Sequence, residues 1–186
     1  KSTELEELIQ KITTSKKYRL MEVPRETIDD LFVQELERHN KAADAIKSVK
    51  SKLHNIMAPY LGDLDYPEAS KALEAALASD EKGQIADLCT LFLKGHHSTA
   101  ERLTYADAFY ASIFEDLGEM CSVLDLACGL NPFILALIEL PTALTYTAYD
   151  IHAPRIALIQ QFFSSESGLR GKAEIRDILV RPPEEK

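Results

Sequence analysis

The chain has 186 residues, 46% of them hydrophobic and 27% charged, with a formal net charge of −9. That is ordinary globular material for one domain or two small ones, neither disordered nor fibrous, and no apolar run approaches the roughly 20 residues that cross a bilayer. Nothing at the start reads as a secretion leader, and Cys89, Cys121 and Cys128 lie apart without metal-ligand spacing, which fits a reducing cytoplasm and no zinc site.

Up to about residue 118 the apolar residues recur at helical spacing. Ile28, Leu31, Phe32 and Leu36 form a first stripe, preceded by Pro24. Ile46, Val49, Leu53, Ile56 and Met57 form a second. A short helix is expected after Pro67, a good first-turn residue. Ile85, Leu88, Cys89 and Phe92 make the next stripe, and Leu103, Ala106, Tyr110, Ile113 and Leu117 the last. Ser98 followed by Glu101 reads as a capping box opening that last helix. The spacing thus predicts five or six short helices over 1–118. A basic cluster, Lys16, Lys17 and Arg19 with Arg38, His39 and Lys41, is either a phosphate-contacting face or a merely solvated one. The acidic total argues mildly against phosphate-rich partners.

After residue 120 the period shifts. Val123–Ala127 reads as a buried strand, Pro132–Leu140 as a short helix and Leu144–Tyr149 as a strand. Pro154–Ser165 reads as a helix and Ala173–Leu179 as a third strand. Strand alternating with helix predicts an α/β fold with a doubly wound parallel sheet over 119–186.

The first strand runs into a turn, VLDLACGLNP, over 123–132. A glycine just past a buried strand lets the backbone approach a ligand beyond the carboxyl end of the sheet. Ala127 to Asn131 would floor such a site. Asp150 ends the second strand about 20 residues after Gly129, where a carboxylate grasps a ribose diol. Asp177, expected at the end of the third strand, would reach an adenine edge. A dinucleotide needs GxGxxG to hold its pyrophosphate, and this loop has one glycine. S-adenosyl-L-methionine, which has no phosphate, fits better. Asp125 would orient the loop and accept from the methionyl ammonium. Cys128 lacks a positioned base and reads as a small buried thiol. His152 reads as a packing or rim residue.

Four stretches now carry a resemblance: SKKYR at 15–19, HHSTAERL at 96–103, VLDLACGLNP, and YDIH at 149–152. In that order they resemble the aminoglycoside-resistance 16S rRNA (guanine-N7) methyltransferases, which act on a decoding-site guanine. The resemblance implies a helical N-terminal RNA- or ribosome-binding subdomain followed by a Rossmann-like sheet of the S-adenosylmethionine-dependent type. It implies that Arg102 holds the methionyl carboxylate, with His96 and Tyr60 lining the same pocket. Gly129 would face the methionine part, Asp150 and Ile151 the ribose and adenine, and Asp177 and Ile178 the adenine. His97 and Phe133 depart from the family pattern, where smaller residues stand. The implied partner is the 30S subunit with its 16S rRNA, met in the cytoplasm by a monomer, with no membrane. RNA contact is expected from Lys16, Lys17, Arg19, Arg38 and Lys41.

No catalytic acid or base and no metal are expected. Guanine N7 bears a free lone pair, so catalysis is positional. Three strands stand where such a sheet resembles seven, so the chain reads as cut short after the third strand and inactive alone. Two other functions stay open: a non-catalytic ribosome- or RNA-binding module with a vestigial cofactor fold, and a methyltransferase with a non-RNA substrate.

Overall fold

A computed structural model describes residues 2–14, 23–58, 64–79, 81–117, 122–140, 144–164 and 170–184. The apolar stripes become helices: α1 (Ser2–Thr13), α2 (Arg25–Arg38), α3 (Ala42–Met57), α4 (Tyr66–Ser79), α5 (Lys82–Gly95), α6 (His97–Arg102) and α7 (Ala106–Leu117). A 3-10 turn, Leu103–Tyr105, separates the last two. The sheet strands are β1 (Ser122–Leu126), β2 (Thr145–Asp150) and β3 (Arg170–Ile175), with α8 (Ala153–Phe163) between the second and third. Contacts group the chain into two compact units.

The first unit comprises 1–61, 151–153 and 176–186. Ile9 and Ile12 of α1, Ile28, Leu31 and Phe32 of α2, and Val49 and Leu53 of α3 form its core. These are the predicted stripes of α2 and α3 turned inward, joined by two α1 isoleucines. Arg25 ties α1 to α2 at the surface through Glu6 and Asp29. Asp177 lies against α2. Its Oδ2 accepts from the Thr27 hydroxyl at 2.7 Å, and its N–H donates to Glu26 Oε1 at 3.2 Å.

The second unit comprises 62–150 and 154–175. Its sheet is parallel throughout, in the order β1-β2-β3. Register sets Asp125 opposite Ala148 and Tyr146 opposite Gly171. Leu73, Leu93, Leu130, Phe133 and Ile159 are all but inaccessible in its core. Gly171 has a steric reason. A Cβ there would stand 2.3 Å from Cδ1 of the Phe163 ring, which packs at 5.9 Å from Tyr146.

Three local expectations are corrected. Over Pro132–Leu140 the structure forms only a 3-10 helix, Asn131–Ala136, with Pro132, Phe133, Ile134 and Leu135 all buried. A segment with no polar face cannot lie as an amphipathic helix, and Pro141 disfavours helical backbone at Leu140. The third strand is Arg170–Ile175 and not 173–179, because it stops where its partner stops, Asp150 opposite Ile175. Asp177 therefore sits two residues past the strand, in a turn where its Oδ1 accepts from Leu179 N–H. The capping box at Ser98 does not form. His96 is the N-cap of α6, and Ser98 instead shares a 2.9 Å hydrogen bond with His96 Nδ1. Thr99 ties α6 back by donating to the carbonyls of Leu93 and His96.

Candidate functional site

The loop that leaves β1 is built on two left-handed residues, Ala127 (φ 54°) and Gly129 (φ 56°). Glycine adopts that region freely, whereas alanine pays about 1 kcal/mol, so the turn stores strain at Ala127. A Cβ on Gly129 would meet nothing within 4 Å, so the space above the loop is open to a ligand. Cys128 N–H donates to Tyr149 O at 3.0 Å, extending the β1–β2 ladder by one bond, and Asn131 N–H closes the turn on Cys128 O at 3.0 Å.

Asp150, at the end of β2, reaches back to this loop. Its Oδ2 accepts from Gly129 N–H at 2.9 Å and lies 3.5 Å from Nη1 of the fully buried Arg155. Arg155 Nε donates to the Tyr66 hydroxyl at 3.2 Å. The second carboxylate, Asp125, is half-buried in β1. Its Oδ2 accepts from the Tyr146 hydroxyl at 2.5 Å and from Asn131 Nδ2 at 2.9 Å, while Asn131 Oδ1 accepts from the Tyr110 hydroxyl at 2.8 Å. Burial pushes the Asp125 carboxyl above its ordinary range, and the Tyr146 and Asn131 bonds offset part of that rise. Burial likewise raises the Tyr110 and Tyr146 phenols. The Cys128 thiol is also raised well above its ordinary value, by burial first and then by Asp150 and Asp125, which suits a packing role and not a nucleophile.

Arg102 ends α6 on the surface, its Nε donating to Ser98 O at 3.0 Å. With Tyr105, Phe109, Tyr110, Asn131 and Ile134 it lines an apolar cavity of about 270 Å³. His96 is half-buried at the start of the same helix. The structure thus brings together Gly129 with Asp150, Asp125 with the end of the loop, and Arg102 with Tyr110 and Asn131. Ala127 is exposed at the loop's entry. Ile151, Asp177 and Ile178 belong to the first unit, Asp177 buried and both isoleucines half-buried. Tyr60 lies outside the described residues, as do Lys16, Lys17 and Arg19. Arg38 and Lys41 are exposed. Arg38 pairs at 3.0 Å with the buried Glu35, which also binds His39 and Lys52.

Sequence reasoning put Asn131 in the floor of the site without a role for its amide, and it missed Tyr110, Tyr146 and Arg155. These three carry no local signal. Among the described residues no cluster of His, Cys, Asp or Glu could hold a metal ion, and no helix is long and apolar enough to cross a membrane.

Residues 14–185 match the family model of ribosomal RNA methyltransferases (FmrO). The chain belongs to this family. A relative from Serratia marcescens, 16S rRNA (guanine(1405)-N(7))-methyltransferase, is 33% identical over 94% of the chain and 62% of its own length. The protein of the same name from Micromonospora echinospora is 27% identical over 94% of the chain and 64% of its own length. The chain thus spans less than two thirds of the length of these curated family members. Among solved structures, the 16S rRNA methylase RmtB is 29% identical, with a TM-score of 0.73, over 97% of this chain and 68% of its own. RmtF, solved in complex with S-adenosyl-L-homocysteine, is 29% identical, with a TM-score of 0.71, over 98% of this chain and 66% of its own. The chain shares with these rRNA methylases a helical N-terminal part and a parallel sheet of the Rossmann-like kind.

Proposed function

We propose that the protein uses S-adenosyl-L-methionine to methylate N7 of a decoding-site guanine in the 16S rRNA of the 30S subunit, and thereby confers aminoglycoside resistance. The observation that carries this reading is the β1 loop, with its open glycine fixed by Asp150, in a chain that matches the rRNA methyltransferase family over 14–185. The residues present fit the cofactor. Gly129 leaves room for the methionine part, Asp150 stands where a ribose is held, and Arg102 offers a guanidinium to a carboxylate. His96, Asp125 and Ala127, which belong to the same unit, are the further residues of the methionine side in this reading. When bound, the sulfonium supplies an electrophilic methyl.

The chain's own residues have positional work to do. Guanine N7 attacks with its in-plane lone pair, the N–C bond forms as the C–S bond breaks, and no proton moves. No acid or base is needed, and holding the base in line accounts for about 7–11 kcal/mol of barrier lowering. Residues 1–118 form the ribosome-contacting region in this reading, and 119–186 the start of the cofactor domain. The basic residues include exposed Arg38 and Lys41, and α3 adds Lys47 and Lys50, also exposed. The protein acts as a cytoplasmic monomer.

The test supplies the full-length protein with methyl-labelled S-adenosylmethionine and either intact 30S subunits or naked 16S rRNA. Label on one guanine of the intact subunit, with little on naked RNA, is the expected result. Label on a protein or small molecule, or none despite cofactor binding, overturns it.

A further inference from the structure

One amide organises the Asp125 carboxylate. Asn131 belongs to the loop, Tyr110 to α7 and Tyr146 to β2, so three separate segments converge on a residue of β1. The ionised Asp125 only accepts, so it draws the amide NH2 toward itself, and the Tyr110 hydroxyl braces that orientation by donating to Asn131 Oδ1. The flipped amide would set a carbonyl against a carboxylate. Asn131 Nδ2 also lies 3.3 Å from the Tyr146 hydroxyl. Both donors then fall on Oδ2, and Oδ1 of Asp125 has no protein donor among the described residues. That oxygen is left to accept from a cationic N–H donor. The guanidinium of Arg102, which shares a cavity with Tyr110 and Asn131, is close enough for its charge to be felt at Asp125. One anion acceptor and one cation acceptor side by side suit the two ends of an amino-acid zwitterion.

We propose that Tyr110 and Asn131, with Tyr146, are positioning residues that hold Asp125 ready for the α-ammonium of the cofactor's amino-acid end. This rests on the reading of the loop as an S-adenosylmethionine site. The Tyr110 hydroxyl bonds to Asn131 and not to Asp125. It acts through the amide of Asn131.

Calorimetric titration of the full-length protein with S-adenosylhomocysteine, which has the ammonium, and 5′-methylthioadenosine, which lacks it, separates positioning from general structure. Tyr110→Phe, which keeps the ring, should weaken S-adenosylhomocysteine about fivefold and leave methylthioadenosine within about twofold. Tyr146→Phe should show the same split. The double variant Tyr110→Phe/Asn131→Ala should bind S-adenosylhomocysteine no more weakly than Asn131→Ala alone, since the first change acts through the second residue. Equal losses for both ligands, additive losses, or unchanged S-adenosylhomocysteine affinity would overturn the proposal while leaving the cofactor reading intact. A wild type that binds neither ligand would overturn both.

Discussion

Asp150 accepts a hydrogen bond at 2.9 Å from the backbone N–H of Gly129, and the same oxygen faces the buried guanidinium of Arg155 at 3.5 Å. One carboxylate therefore joins the end of β2, the turn after β1 and a cation inside the fold. Any substitution at Asp150 acts on the loop's shape and on Arg155 together.

Asp150→Asn keeps the shape and removes the charge. Removing one partner of a buried ion pair costs about 3 kcal/mol or more, so the urea midpoint should fall. Affinity for S-adenosylhomocysteine should fall as well, because the Gly129 anchor and the proposed ribose acceptor are both weakened. A variant of unchanged affinity would take Asp150 out of the ligand site.

Arg102 is exposed and, among the described residues, bonds only to Ser98 O, so its loss should spare the fold. Arg102→Ala in the full-length protein should weaken S-adenosylmethionine and S-adenosylhomocysteine alike, by about tenfold or more for a charge-assisted pair. Methylthioadenosine, without a carboxylate, should bind as before. Loss of all three ligands in proportion would sink the assignment.

The salt dependence of 30S binding tests the basic surface. Replacing Arg38 and Lys41 by glutamine should lower the slope of log K against log salt by up to about one unit for each phosphate contact removed. The same holds for a triple replacement of Lys16, Lys17 and Arg19. An unchanged slope marks a solvated face only.

Glu35 gives a pH signature within the first unit. Hydrogen bonds from Lys52 and then Ser48 hold its carboxyl down to about 2, against an ordinary value of 4.5. Its folded pKa lies below its unfolded one. The stabilisation is therefore fully present above about pH 4.5 and is lost as the pH falls toward about 2. Urea midpoints measured across that window should fall less steeply for Glu35→Gln than for the wild type. Parallel curves would show that the carboxylate contributes nothing.

Gly171→Ala should lower the melting temperature, because its Cβ would stand 2.3 Å from the Phe163 ring. Overpacking of this kind costs about 1–3 kcal/mol. Phe163→Leu in the same chain should restore part of the loss, and failure to do so would place the strain elsewhere.

Much of this arrangement was legible in the sequence. The apolar stripes gave α2, α3 and α5, and β1 and β2 fall within one residue of the expected strands. Their signal is local: period, a glycine and an acidic strand end. The third strand was misplaced because its limits are set by pairing to β2, which periodicity does not encode. The 3-10 segment at 131–136 was read as a helix because apolar residues alone do not fix the helical pitch. The clamp on Asp125 needs Tyr110, Asn131 and Tyr146 from three segments, and only folding brings those together. Asp125 and Asn131 stand in the turn motif itself, whereas Tyr110 and Tyr146 lie outside it.

The thiol of Cys128 sits inside the left-handed turn, 5% accessible, with its Sγ 3.5 Å from Gly129 O. A thiol reagent cannot reach it while the turn is closed, and its raised pKa slows reaction further. In a protein with its other cysteines replaced by serine, the rate of Cys128 labelling thus becomes a clock for the opening of the loop. Read with and without a ligand, that clock reports how tightly the closed loop is held, with no need to follow methyl transfer at all.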